Sequence, residues 1–369
     1  MRGLELIRVL HVLNNLGSGG VESLLMNIYR KIDRNLIQFD FLLRSDKNGP
    51  IVDEIKNLGG RVFYTSEYPR HFLKNFKELN LFFKEHREYN IIHVHANSLM
   101  YVKPLTIAKQ LGIPCRIIHS HSTAVASGLP LLNQIHRVNK ARIKKMATHY
   151  FACSNAAGEW MFGDNQFEII NNGIDLSKMC FDPATRERIR AKYHLENTFV
   201  IGNVGRFSHP KNHRFIIRLF AEYSVAHPNA RLMFVGEGEL FDEVKALAKD
   251  LGVFEKVIFT GAVNDVANYL SAMDVFLFPS IYEGFGMALI EAQASGLPCV
   301  ASNAVPRVAF LNDNCCSISL DASMDDWIKA IDENKVRVKP SDQLQKYDIN
   351  RVSQTLEMFY LELVDHRKE

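Results

Sequence analysis

The chain lacks any hydrophobic run long enough to cross a membrane, because no segment approaches the ~20 consecutive apolar residues that a spanning helix needs. Its six cysteines in 369 residues have neither metal-ligand nor disulfide spacing, which indicates reduced thiols. The N-terminal stretch MRGLELIRVLHVLNN has no small-residue cleavage site, so we expect a first strand there rather than a signal peptide. We therefore expect a cytoplasmic protein, either free or peripheral on the inner face of the cell membrane.

Two motifs of nucleotide and metal chemistry are also absent. The glycines Gly17, Gly19 and Gly20 do not form G-x-G-x-x-G, so a dinucleotide-binding dehydrogenase is only weakly supported. No D-x-D pair stands at a predicted strand end, where it could hold Mg²⁺. We predict no cofactor, no metal and no nucleic-acid partner.

The composition and the pattern of the chain are those of a globular protein. A hydrophobic content of 47% and a charged content of 23% are typical values, and the length suits two domains. Short apolar runs alternate with helical patterns, which predicts an α/β fold with parallel sheets. Residues 1–180 hold 23 Lys+Arg against 15 Asp+Glu, so this half carries roughly +8 and the remainder about −5. The basic half suits an anionic surface or acceptor, or it is a solvated face without a partner.

The stretch Ile281–Ser302 is the most informative part of the sequence. It follows the apolar run Met273–Phe278, which predicts a buried strand, and opens with a turn at Gly284-Phe285-Gly286 before a helical pattern. A strand–turn–helix unit leaves the first helical N–H groups unpaired, and these form a site for phosphate. Glu283 precedes the turn, and Glu291 lies on the helix, where a carboxylate can bind vicinal hydroxyls. An ordinary connection with two solvated acids explains the spacing about equally well.

A second loop, GRFSHPKN at 205–212, follows the predicted strand Phe199–Val204. The guanidinium of Arg206 and the ammonium of Lys211 can stabilise the negative charge that develops on a departing diphosphate. An isolated Arg and Lys in a loop would mean little by themselves.

Several motifs resemble those of retaining glycosyltransferases of the GT-B type, in particular glycosyltransferase family four of the capsular and exopolysaccharide kind. EGFGMALIEA resembles the E-x7-E signature, and GRFSHPKN is similar to G-R-[LF]-x3-K-[ND]. EIINNGID resembles the hinge segment P-N-G-[IV]-D, with Asn171 in place of proline, and GSGGVES is similar to the G-G-x-E turn. The resemblance implies a GT-B fold, with two Rossmann-like domains whose parallel sheets face each other across a cleft.

The resemblance also implies domain limits and residue roles. We expect an acceptor-side domain at 1–175, a nucleotide-sugar domain at 176–349, and a helix at 350–369 that crosses back to the first domain. The residues with implied catalytic roles are Arg206, Lys211, His119 and Glu283. The residues with implied roles in donor binding are Gly19, Gly20, Gly205, Gly236, Val263, Gly284, Phe285, Gly286 and Glu291.

Four histidines stand at two predicted strand ends, in IIHVH (91–95) and CRIIHSH (115–121). Ligands of parallel sheets bind at the carboxyl ends of the strands. The resemblance places His119 best, and His121 second, near the donor sugar, with His95 on the sugar or acceptor side. For His93 and His95 a structural role is equally compatible. Zinc is an alternative, although no carboxylate or cysteine completes an obvious ligand set.

The stretch 131–146, LLNQIHRVNKARIKKM, predicts a basic helix in which Arg137, Lys140, Lys144 and Lys145 cluster. Such a helix can lie on anionic lipid, and it can equally be a solvated helix. The membrane interpretation is favoured modestly, because glycosyltransferases of this type often reach lipid-linked acceptors.

The predicted function is transfer of a hexose-type sugar from a nucleotide diphosphate sugar, with UDP as the expected nucleotide, to a glycan or lipid-linked glycan in surface polysaccharide synthesis. The resemblance implies retention of the anomeric configuration and metal-independent chemistry. The alternatives are a GT-B nucleotide-sugar epimerase, which needs no acceptor, and a non-catalytic subunit that binds a nucleotide sugar.

Overall fold

The computed structural model describes residues 6–17, 20–45, 51–123 and 130–365. The chain divides into two compact units, of which the first comprises Met1–Ile174 with Lys346–Glu369 and the second comprises Asp175–Gln345. The first unit therefore contains both ends of the chain.

The described part of the first unit contains a parallel sheet of seven strands in the order β3-β2-β1-β4-β5-β6-β7. The strands are β1 (Ile7–Leu13), β2 (Ile37–Leu43), β3 (Val62–Tyr64), β4 (Ile91–Ala96), β5 (Cys115–Ser120), β6 (His149–Ala152) and β7 (Glu168–Ile169). The helices between them are α1 (Gly20–Lys31), α2 (Ile51–Asn57), α3 (Phe72–Glu85), α4 (Lys103–Gln110), α5 (Pro130–Arg142) and α6 (Asn155–Phe162).

The second unit contains a parallel sheet of six strands, all within the described range 175–345, in the order β10-β9-β8-β11-β12-β13. The strands are β8 (Phe199–Val204), β9 (Ala230–Val235), β10 (Val257–Phe259), β11 (Val275–Phe278), β12 (Cys299–Ser302) and β13 (Cys315–Ile318). The helices are α7 (Leu176–Met179), α8 (Pro183–Lys192), α9 (His213–Ala226), α10 (Phe241–Asp250), α11 (Val266–Ala272), α12 (Met287–Ala294) and α13 (Met324–Glu333).

The central strands are buried on both faces, as expected for parallel strands covered by helices on two sides. All seven residues of β2 are buried, including Asp40. A buried carboxylate needs several partners, and Asp40 accepts hydrogen bonds from Arg8, Arg61 and Tyr89, each at 2.7 Å. These contacts explain how a charged residue lies within an otherwise apolar strand. Two Rossmann-like parallel-sheet units confirm the predicted α/β class.

The last helix, α14 (Ile349–Asp365), belongs to the first unit. Its buried side chains Ile349, Val352, Leu356 and Tyr360 pack into the core formed by β1, β2 and α1. The boundary before this helix falls at Gln345, four residues earlier than the expected limit of 349. The reason is local, since Tyr347 already accepts a backbone hydrogen bond from Ile174 at 2.8 Å.

Candidate functional site

Two loops of the second unit are joined at the carboxyl ends of the adjacent strands β8 and β11. The backbone N–H of Ile281 donates to the carbonyl of Pro210 at 2.8 Å, and the side chain of Asn212 donates to the carbonyl of Pro279 at 3.1 Å. Asn212 has a left-handed backbone with φ 58°, a conformation that asparagine tolerates better than most residues. The loop carrying Lys211 is thereby fixed against the loop carrying Glu283.

Lys211 and Glu283 form an ion pair within this junction. The Nζ of Lys211 lies 2.6 Å from Oε1 of Glu283, and the exposed fractions of the two side chains are 22% and 11%. The hydroxyl of Ser280 donates to the same oxygen at 2.7 Å, and the ammonium lies 4.9 Å from the centroid of the Phe278 ring. A cation held in a largely desolvated place by one carboxylate and an aromatic face is well suited to a polyanionic ligand.

Glu291 lies on α12, on the second turn, and is partly buried. Burial raises the pKa of Glu291 to about 7, and the nearby charge of Lys211 opposes this rise. The two predicted acids and the predicted lysine are therefore neighbours in the structure. Glu291 is a carboxyl group that can change its charge near neutral pH.

The turn at Gly284-Phe285-Gly286 leads directly into α12. Gly286 is the N-cap of this helix with φ 92°, and a Cβ there would lie 3.2 Å from Val305. Glycine is required at such a position, because other residues are strained at positive φ. Phe285 is buried, whereas Gly284 is partly exposed. The turn leads directly into the N-terminus of α12, whose first N–H groups can bind an anion.

The side chain of Arg206 is 75% exposed. Its guanidinium forms an ion pair with Glu239 at 3.1 Å. The backbone N–H of Phe207 donates to the carbonyl of Glu237 at 2.9 Å, so the turns after β8 and β9 are joined. The structure thus places Arg206 on the same loop as Lys211, but with a different carboxylate partner.

The other glycines predicted for donor binding lie in these turns. Gly236 has φ 138°, and a side chain there would overlap the carbonyl of Gly205. A side chain at Gly205 would in turn contact the aliphatic stem of Lys211 at 3.5 Å. Val263 is partly buried in the loop between β10 and α11. Glycine is therefore required at 236, whereas a Cβ at 205 would make only an ordinary contact.

In the first unit, Gly20 begins α1 and is exposed, whereas Gly19 lies outside the described residues. His95 and His119 are buried, and His121 is partly exposed. The Nδ1 of His95 is 2.9 Å from the Nε2 of His121. Burial lowers the pKa of His121 to about 3 and that of His119 well below its usual range. These imidazoles are neutral at physiological pH.

The sequence did not single out His11 and Tyr360, which join the same cluster. The Nδ1 of His11 is 3.0 Å from the Nε2 of His95. The hydroxyl of Tyr360, on the last helix, is 2.6 Å from the Nδ1 of His93, and the Nε2 of His93 is 3.2 Å from the Nδ1 of His119. The sequence could have pointed to His11, because it lies in the first strand, next to the strand formed by IIHVH in a parallel sheet. No sequence pattern pointed to Tyr360.

Several histidine ring nitrogens lie close to one another, as the zinc alternative requires. Among the described residues, two sets of three, His11/His93/His95 and His95/His119/His121, each have ring nitrogens within 4.8 Å of one another. One pair in each set, His11–His95 and His95–His121, is joined by a hydrogen bond between neutral rings. The absence of a metal therefore stays a prediction.

The predicted basic helix is shorter than expected, because α5 ends at Arg142 and a 3₁₀ turn covers Ile143–Lys145. Arg137 and Lys144 are exposed, but Lys140 donates to the carbonyls of Glu159 and Trp160 at the end of α6. A side chain that caps a helix C-terminus in this way has a structural task. In the described ranges, no helix has the length and apolarity to pass through a bilayer.

Comparisons with known proteins agree with this geometry. The profile of Glycosyltransferase Family 4 matches residues 18–178, and the profile of Glycosyl transferases group 1 matches residues 185–335. The protein EpsF of Bacillus subtilis (strain 168), described as a glycosyltransferase, is 34% identical over 311 residues, which make up 81% of this chain and 79% of EpsF.

A second relative and a solved structure extend the comparison. The Escherichia coli UDP-Gal:alpha-D-GlcNAc-diphosphoundecaprenol alpha-1,3-galactosyltransferase is 28% identical over 298 residues, covering 76% of this chain and 74% of its own. Anabaena Alr3699/HepE, crystallised with UDP and glucose, has a similar fold with a TM-score of 0.77 and 19% identity, over 96% of this chain and 100% of HepE. The two Rossmann-like units are those of a GT-B glycosyltransferase. The chain belongs to glycosyltransferase family 4.

Proposed function

We propose that this glycosyltransferase transfers a hexose-type sugar from a nucleotide diphosphate sugar, with UDP as the nucleotide, to a glycan or lipid-linked glycan in surface polysaccharide assembly. The observation that carries the proposal is the Lys211–Glu283 pair, 2.6 Å apart at the start of α12, with Glu291 beside it. A cation, a helix N-terminus and a hydroxyl-binding carboxylate in one place match the diphosphate and ribose of such a donor.

The donor nucleotide is inferred from neighbours. HepE was crystallised with UDP, and the E. coli relative acts with UDP-Gal. In this chain Glu291 would accept hydrogen bonds from the ribose hydroxyls, and the backbone around Val263 would contact the base. Backbone contacts leave no side-chain signature, so the nucleotide needs a direct binding measurement.

The chemical step depends on the charge of the leaving diphosphate. As the glycosidic bond breaks, negative charge grows on the phosphate oxygens, and Lys211 with the N–H groups of α12 would stabilise it. Arg206 is exposed and can exchange Glu239 for a phosphate at small cost, because surface ion pairs are weak. Residues would thus perform the task that Mg²⁺ performs elsewhere, which is the basis for proposing metal-independent transfer.

Retention of the anomeric configuration would follow from attack on the same face that the diphosphate leaves. The leaving phosphate oxygen would accept the proton of the acceptor hydroxyl, so that no enzymic nucleophile is required. His119 would contact the donor sugar, in line with its family-based role. Proton NMR of the product tests this step, because the anomeric coupling constant distinguishes retention from inversion.

The acceptor and the location are proposed from the same relatives. The E. coli relative acts on a diphosphoundecaprenol-linked sugar, and an acceptor of that kind would bring this protein to the cytoplasmic face of a membrane. The exposed cations near α5 would assist contact with anionic lipid.

The deciding experiment follows nucleotide release from a panel of UDP-, GDP- and ADP-sugars, with and without lipid diphosphate-linked acceptors, in EDTA. We expect acceptor-dependent release of UDP, and its loss in Lys211→Ala but not in Lys329→Ala, a matched change of an exposed lysine on α13. Conversion of the donor without acceptor would identify an epimerase instead. Donor binding without any release would identify a non-catalytic subunit.

A further inference from the structure

Three histidines lie side by side at the carboxyl ends of β4 and β5 in the first unit. His95 and His119 are partners in the register of these parallel strands, and His121 follows His119 by two residues. The ring centroids of His119 and His121 are 4.1 Å apart. One ring nitrogen of each of the three lies within 4.8 Å of the other two. They form a compact group of nitrogen donors outside the Lys211–Glu283 pair.

One nitrogen of this group has no partner among the residues that the structure describes. The side chain of His119 is only 2% exposed. Its Nδ1 lies 3.2 Å from the Nε2 of His93, whereas its buried Nε2 makes no hydrogen bond. Whether this Nε2 carries a proton or a lone pair, a buried polar atom without a partner costs free energy that a ligand would recover.

The other ring nitrogens face groups that a metal site needs around it. An imidazole that binds a metal usually donates its second N–H to a neighbouring group, which fixes the orientation of the ring. The Nε2 of His95 lies 3.0 Å from the Nδ1 of His11. The Nδ1 of His119 faces His93, whose own Nδ1 lies 2.6 Å from the hydroxyl of Tyr360. If the opposite nitrogens of His95 and His119 bind an ion, their remaining N–H groups can donate to these two neighbours.

We propose that His95, His119 and His121 bind a divalent transition-metal ion of the zinc type, as an exchangeable inhibitor and not as a resident cofactor. Zn²⁺ binds three imidazoles at about 2.0–2.1 Å with a water in the fourth position, so tetrahedral ligand atoms are about 3.3 Å apart. This value lies between the 2.9 Å that separates His95 from His121 and the 4.8 Å limit of the whole set. His95 and His121 also line a cavity of about 860 Å³, through which an ion and a water would enter.

The inhibition, unlike the binding of the ion, rests on the proposed function, in which His119 contacts the donor sugar. An ion on the Nε2 of His119 occupies the free nitrogen that would face that sugar. Lys211 and Glu291 belong to the second unit and take no part in the metal site. Zn²⁺ should therefore lower sugar transfer and leave the binding of UDP unchanged.

The test of binding uses the untagged full chain after removal of metals with EDTA. Calorimetry with Zn²⁺ is expected to show a single ion bound per chain. Co²⁺ should give the visible absorption of a four-coordinate site without a sulfur-to-metal band, which separates histidine ligands from the cysteines. His121→Ala and His119→Gln should weaken binding about tenfold or more. His227→Ala, a matched change of a histidine in the second unit, should not alter it.

The results that would overturn the inference are distinct from those that would refute the proposed function. Equal Zn²⁺ affinity of wild type and His121→Ala, with both folded by thermal denaturation, overturns the site, as does a sulfur-to-metal band with Co²⁺. Zn²⁺ that binds without lowering transfer, or that lowers it equally in His121→Ala, overturns the inhibition. Absence of acceptor-dependent UDP release in EDTA refutes the proposed function, whereas calorimetry decides the metal site by itself.

Discussion

The two acids of the motif have different surroundings, although they are only eight residues apart. Glu283 is bound to Lys211 and Ser280, whereas Glu291 has Lys211 as its nearest favourable charge and a pKa raised to about 7. The sequence predicted both carboxylates and their proximity to Lys211. It could not predict the raised pKa, because desolvation depends on how the surrounding loops close over the helix.

Glu291 should make stability and donor binding depend on pH. Its folded pKa of about 7 exceeds the ordinary value of 4.5, so the folded state favours the protonated form. The contribution of Glu291 to the free energy of unfolding should therefore fall as the pH rises from about 4.5 to about 7, by at most about 3 kcal/mol. The buried histidines, whose pKa values are lowered in the folded state, change stability in the opposite direction as the pH rises toward their ordinary value of 6.5. The stability difference between wild type and Glu291→Gln, measured by urea denaturation at several pH values, isolates the contribution of Glu291 and should vary with pH over this range.

Donor affinity should change in the opposite direction. A charged carboxylate accepts hydrogen bonds from ribose more strongly than a neutral one, so UDP should bind more tightly at pH 8 than at pH 6. The buried His95 and His119 remain neutral over this range, so they do not change the affinity for UDP. Equal UDP affinity at the two pH values in wild type would contradict this prediction.

The two cations should respond differently to truncation. Lys211→Ala leaves Glu283, which is only 11% exposed, without its cation, so we expect a loss of about 1–3 kcal/mol in stability together with a fall in turnover of about 10²–10³. Arg206→Ala removes only an exposed pair and should lower turnover with little change in melting temperature. Denaturation and steady-state kinetics are measured on the same preparations of both variants. A larger loss of stability in Arg206→Ala than in Lys211→Ala would contradict this prediction.

At the level of elements, the apolar runs predicted the strands that carry the site. β8 has the limits expected from the sequence, Phe199–Val204. Long uninterrupted runs fix such elements, because parallel strands are buried on both faces. β13 was not predicted: it is short, lies at the sheet edge, and its residues are only partly buried.

The basic helix shows a limit of charge patterns. The sequence treated Arg137, Lys140, Lys144 and Lys145 as one cluster, but Lys140 caps the end of α6. A pattern of charges does not reveal which of them a neighbouring helix uses, since that depends on packing between distant segments.

We therefore expect lipid binding through this region to depend on Arg137, Arg142 and Lys144. Changing these three exposed residues to Ala should reduce co-sedimentation with phosphatidylglycerol vesicles several-fold at low salt, at about 1 kcal/mol per cation. Lys140→Ala should instead lower thermal stability and leave vesicle binding nearly unchanged. Unaltered binding of the triple variant would exclude this surface as the membrane contact.

For the whole molecule, the main feature is that the first unit is assembled from both ends of the chain. Ile349, Val352, Leu356 and Tyr360 are all buried in it, and each contributes roughly 1.5–3 kcal/mol. Their sum is comparable with the total stability of about 5–15 kcal/mol that a domain has. Sequence reasoning anticipated a terminal helix, but not its hydroxyl contact with His93.

Truncation after Gln345 should therefore affect the units unequally. The first unit should lose cooperative unfolding and become sensitive to proteases within 1–174, while the second unit keeps its fold and its UDP binding. Limited proteolysis with mass spectrometry, and calorimetry of UDP binding, would check both parts. A truncated chain whose first unit resists protease as well as the full chain does would contradict this interpretation.

The return of α14 to the first unit also bears on synthesis in the cell. Nascent chains begin to fold while they are still being extended, and the second unit emerges complete before the ribosome has released the final helix. The N-terminal sheet must wait, with an uncovered apolar face, until this helix has been synthesised. Premature termination before Ile349 would then yield a protein whose second unit is intact but whose first unit is a substrate for chaperones and degradation.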